Sequence, residues 1–146
     1  MKKNTALVTL VFMTLFFNFL SFSQLIENGP KIEFKNEEHD YGNIKYAADG
    51  TCSFEFTNTG NAPLLISDAK GSCGCTVPTY SKEPIAPGAK GSITVTYDTK
   101  RPGPITKSVT IMSNALNEPT KVIRIKGMVG PQPEVESPVN NVGPKN

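Results

Sequence analysis

The 146-residue sequence contains no tryptophan and only one histidine, His39. Beyond residue 23 its aromatics are Phe34, Phe54, Phe56 and four tyrosines, too few to make a platform on which bases or sugars stack. A single imidazole excludes a multi-histidine metal centre and leaves at most one histidine base. Also missing are the Gly-x-Ser-x-Gly nucleophile turn, a phosphate loop, the zinc-protease helix motif and a glycine-rich nucleotide fingerprint. The acidic residues are scattered, and so short a chain has little material for the groove that a pair of glycosidase carboxylates needs. Glu37 and Glu38 read as a solvated loop and His39 as an exposed residue at a strand end. The expectation is a protein that is no enzyme, with no cofactor and no metal ligands.

Long apolar runs are equally scarce, except at the start. Lys2 and Lys3 precede an apolar stretch from Ala6 to Leu20 that is short for a membrane span and is interrupted by Thr14 and Asn18. Ser21 and Ser23 then satisfy the small-x-small rule for cleavage before Gln24, so residues 1–23 read as a signal peptide. No cysteine follows the cut to carry a lipid. The expected product is exported, to the periplasm or the extracellular space, with no stable membrane span. Lys2 and Lys3 leave with the signal, so thirteen basic residues stand against thirteen acidic ones. That balance offers no footprint for nucleic acid.

What remains is enough chain for one domain. Residues 24–30 read as a lead-in. Residues 130–146, with Pro131, Pro133, Pro138 and Pro144 and only Val135 and Val142 as apolar side chains, read as a disordered tail. Between them, short runs of β-branched and apolar residues alternate with Gly, Pro, Asn and Asp clusters, and no stretch has helical periodicity. Seven strands are expected: Lys31 to Lys35, Asn43 to Tyr46, Thr51 to Thr57, Leu64 to Lys70, Ser92 to Asp98, Ile105 to Ser113 and Lys121 to Val129. In the third, Cys52, Phe54 and Phe56 share one face and Ser53, Glu55 and Thr57 the other. Turns are expected at Asn58 to Asn61, where positive φ would be tolerated, and at Pro87-Gly88, which suits a type II turn. The fold class is therefore an all-β, immunoglobulin-like antiparallel β-sandwich of about seven strands over residues 31–129.

Three motifs in order, Asp40-Tyr41-Gly42-Asn43-Ile44, Phe54 to Leu64 and Ser72-Cys73-Gly74-Cys75-Thr76, resemble the domain-of-unknown-function 1573 family. The likeness continues through Pro84-Ile85-Ala86-Pro87-Gly88 and Ser113-Asn114 to Ile125-Lys126-Gly127. It implies a bacterial exported domain related to major sperm protein and Hydin-type domains, which generally serve as adhesive or scaffolding modules. It implies no biochemical activity. The role expected is a binding or scaffold module of the cell envelope, with another envelope or surface protein as its partner.

Cys73 and Cys75 are the unusual chemistry. A turn at Gly74 could bring them within disulfide reach, in a ring small enough to be strained and reducible. Exported domains mostly use cysteines as staples, so a structural bond leads. A thiol-disulfide redox pair and a copper(I) site are the alternatives, with Lys70 giving little help to a thiolate and no further copper ligands evident. Cys52 falls on the core face, and the odd total leaves the pairing open.

Overall fold

The computed structural model describes residues 28–134, so the expected signal peptide and most of the expected lead-in and tail fall outside the described residues. Eight strands follow one another: β1 (Ile32–Phe34), β2 (Glu38–Ile44), β3 (Thr51–Asn58), β4 (Ile66–Gly71), β5 (Thr76–Tyr80), β6 (Lys90–Tyr97), β7 (Gly103–Ser113) and β8 (Thr120–Val129). They make two four-stranded sheets, in the order β1-β3-β6-β5 and β2-β8-β7-β4.

Period-two alternation explains why these sheets face each other. Cys52, Phe54 and Phe56 of β3 point inward with Ile93, Val95 and Tyr97 of β6. From the other sheet Ile105, Val109 and Ile111 of β7 meet Ile123, Ile125 and Val129 of β8, all nearly inaccessible. The inward residues join in one continuous core. Burying a side chain of this size contributes roughly 1.5–3 kcal/mol, so the four central strands supply most of the driving force.

The structure departs from the sequence expectation in three places. It has an eighth strand, β5, in a stretch where no strand was expected and where Pro78 breaks the strand pattern. Proline is tolerated there because β5 is an edge strand. The second strand begins at Glu38, not Asn43, which puts His39 inside it, half-buried and edge-on to Tyr41 with ring centroids 4.6 Å apart. That strand also runs parallel to β8, so the second sheet is mixed. β2 and β8 are far apart in sequence and need no hairpin between them, which leaves parallel pairing open.

The turns divide. Gly88 has φ 75° and Ala89 N–H donates to the Ala86 carbonyl at 3.0 Å, as a type II turn requires. Gly60 does not adopt positive φ. It is needed for room, since a Cβ there would collide with the backbone of Gly29 to Lys31.

Candidate functional site

β4 and β5 are edge strands of opposite sheets, and the segment Ser72 to Cys75 carries the chain from one to the other. Cys73 and Cys75 sit in this crossing with Cα atoms 5.3 Å apart and their sulfurs bonded. That separation is within the range a disulfide tolerates. The two residues differ in exposure: Cys73 is half-buried and Cys75 is 7% exposed. Beneath them the buried Thr76 hydroxyl lies 3.6 Å from Cys73 Sγ and 3.8 Å from Cys75 Sγ.

The crossing is held by backbone bonds independent of sulfur. Ser72 N–H donates to the Ser108 carbonyl at 2.8 Å, Thr76 N–H to the Cys73 carbonyl at 3.1 Å and Asp98 N–H to the Cys75 carbonyl at 2.9 Å. Cys52 is elsewhere, free and buried on β3. Burial pushes its thiol pKa up, with a hydrogen bond from Tyr41 opposing, which disfavours the thiolate at Cys52. Among the described residues no three His, Cys, Asp or Glu side chains stand together as a metal site would need.

In a second set of polar residues, Asn58 was read in the sequence as a turn former and Asn114 only within a family motif. The buried Asn58 side chain donates to the Ala62 and Ile85 carbonyls at 2.8 and 2.9 Å and accepts from Gly60 and Lys31 N–H at 3.0 and 3.3 Å. Asn117 accepts from Ile32 N–H and donates to the Ile32 carbonyl, standing in for a strand beside β1. Asn114 does the same between Leu65 N–H and the Pro63 carbonyl. An asparagine in a turn sequence gives no signal of which distant backbone its amide will reach.

The outer faces of the sheets differ in chemistry. On the first sheet the register sets Thr51, Thr96 and Val77 in one row and Ser53, Thr94 and Thr79 in the next, a surface with no ionisable group across three strands. Five of the six are exposed, with Val77 at 53%, and Thr94 is half-buried at the centre. Glu55 and Lys90 lie beyond its far row, with Lys35 bonded to the Glu55 carbonyl beside them. The second sheet is ion-paired outside, with Lys126 held by Glu38 at 2.5 Å and Asp40 at 3.9 Å.

A family model described as a protein of unknown function, DUF1573, matches residues 32–129. The chain belongs to this family. The DUF1573 match thus covers all eight strands and both cysteines of the crossing. No curated protein matches the chain in sequence. Among solved structures it is similar to a protein of unknown function from Porphyromonas gingivalis W83, at TM-score 0.62 and 18% identity, covering 74% of this chain and 51% of that one. The chain therefore spans about half the length of that protein. It also resembles the ASH / PapD-like domain 7 of human CEP192, at TM-score 0.55 and 13% identity over 71% of this chain and 87% of that one. A third likeness is to the secreted serine protease VesC from Vibrio cholerae, at TM-score 0.51 and 15% identity, over 80% of this chain but 26% of that protein. At these identities the likenesses show the fold, an all-β immunoglobulin-like sandwich, and nothing of activity.

Proposed function

We propose that this DUF1573 domain is an exported, non-enzymatic binding module of the bacterial cell envelope, periplasmic or extracellular, whose partner is another envelope or surface protein. On this reading residues 1–23 are removed, residues 31–129 make the contact and residues 130–146 trail from it. The observation that carries the reading is the uncharged hydroxyl and methyl face of Thr51, Ser53, Val77, Thr79, Thr94 and Thr96 with charged residues at its border. Charged side chains are depleted from the centres of protein interfaces and kept at their rims, because desolvating them costs more than their new contacts return. Buried polar groups support the same reading. Asn58 and Thr99 spend their hydrogen bonds on the protein's own backbone.

The test uses the mature protein from Gln24 to Asn146, immobilised and exposed to an envelope extract of the source bacterium. A single retained protein should be lost on Thr94→Lys or Thr96→Glu and kept on Lys126→Glu, which alters the opposite face. Equal retention by all variants, or loss on the opposite face alone, overturns the assignment. Intact mass of the exported product checks the Gln24 start.

Copper finds no third ligand among the described residues. The thiol chemistry of Cys73 and Cys75 has separate observations in its favour.

A further inference from the structure

A stabilising disulfide joins segments that the chain would otherwise let drift apart. The Cys73–Cys75 bond joins residues two apart in sequence. Its flanks are already fixed by the backbone bonds from Ser72 to Ser108, from Thr76 to Cys73 and from Asp98 to Cys75. Closing so short a loop removes little freedom from the unfolded chain, so stability does not account for the bond. Opening it leaves the crossing anchored on both sides.

We propose that Cys73–Cys75 is a thiol-disulfide exchange site that accepts an external thiolate at Cys73 Sγ and releases Cys75 as the leaving thiolate. Access sets the direction, since Cys73 is half-buried and Cys75 almost wholly covered. In the first step the incoming thiolate forms a bond to Cys73 Sγ while the Cys73–Cys75 bond breaks, and Cys75 keeps the electron pair. The Thr76 hydroxyl, within 3.8 Å of either sulfur, is placed to donate a hydrogen bond to whichever becomes the thiolate. Where the attacker is a dithiol, its second thiolate attacks its own sulfur in the mixed disulfide and frees Cys73. The two protons of the dithiol end on Cys73 and Cys75. The protein's disulfide is reduced by two electrons and the dithiol is oxidised to a disulfide. Cys52, buried with a raised thiol pKa, stays outside the exchange. This site stands independently of the binding face.

The experiment treats the oxidised mature protein at pH 7 with a reduced Cys-x-x-Cys peptide in one arm and reduced glutathione in the other. Samples are trapped in native buffer with excess maleimide and read by intact mass and peptide mapping. The expected result is opening in native buffer, alkylation of Cys73 and Cys75 but not Cys52, and an unchanged circular dichroism spectrum. The glutathione adduct should map to Cys73. Opening at least tenfold faster with the peptide assigns a protein dithiol as the natural reactant, and the reverse assigns a small thiol. Thr76→Val should slow opening severalfold and Thr76→Ser should restore it. Opening that requires denaturant, or an adduct on Cys75, overturns the proposal. Both readouts come from the wild-type protein and do not depend on a variant folding.

Discussion

Two regions of this sandwich fix their loops by opposite means. Around Asn58 and Asn117, uncharged amides tie segments that lie 27 and 85 residues apart in sequence. At the β4–β5 crossing a covalent bond ties residues separated by two. The weaker bond type spans the longer loops, and loop length is what determines how much chain entropy a tie must overcome. The asparagines therefore hold the fold together while the disulfide is free to do something else.

The largest expected loss of stability is at Asn58. Asn58→Ala removes four hydrogen bonds at once and strands the Lys31 and Gly60 N–H groups and the Ala62 carbonyl around a fully buried position, while the Ile85 carbonyl keeps the Leu64 N–H. Each unsatisfied buried group costs about 1–3 kcal/mol, and with partial relaxation the expected loss is about 3 kcal/mol or more. Thermal unfolding should fall by more than about 10 °C. Asn117→Ala is expected to cost about 1–2 kcal/mol, because Ile32 loses both outward partners but water can reach an exposed residue. Amide exchange should show Ile32 unprotected while β3 and β6 stay closed. At the crossing, the Cys73→Ala/Cys75→Ala double variant should lose no more than about 1.5 kcal/mol. A loss as large as that of Asn58→Ala would invert the comparison and make the disulfide a staple.

The sequence made one of these regions visible and hid the other. Cys73-Gly74-Cys75 announces its chemistry by spacing, and the alternation in Thr51–Asn58 and Lys90–Tyr97 announces which side is core. Both signals are local. Asn114 and Asn117 act through partners far along the chain, Asn58 joins local partners at Gly60 and Ala62 to distant ones at Lys31 and Ile85, and an asparagine side chain looks the same in sequence whether it turns its own backbone or caps another. β5 was hidden because Pro78 breaks the pattern that marks a strand, although an edge position accepts it. β2 was clipped because Asp40, Gly42 and Asn43 are turn formers. In the structure Asp40 takes the Gly42 N–H at 2.8 Å, where the pairing with β8 shifts register. The Thr/Ser face needed the register of three strands, which no single strand displays.

The smallest expected effect separates span from burial as the cause of the asparagines' strength. Lys121 binds Glu37 at 2.5 Å and Glu118 at 2.9 Å, so it too ties distant chain, reaching from β8 back to the approach to β2. Its acidic partners are half-exposed, at 52% and 42%, and water and salt screen such pairs. Lys121→Ala should therefore cost less than about 1 kcal/mol, well below Asn58→Ala despite the longer span. The hydrogen bond to Glu37 raises the Lys121 pKa above the ordinary lysine value, partly opposed by desolvation. A raised folded-state pKa means that this contribution is fully present below the ordinary lysine value near 10.5 and is lost as pH rises through the higher folded value. Unfolding curves of wild type and Lys121→Ala should differ by a small constant amount from pH 6 to 9 and converge in strong alkali. If Lys121→Ala matched Asn58→Ala at pH 7, sequence span alone would set the strength of a tie, and the buried satisfaction of Asn58 would not be what distinguishes it.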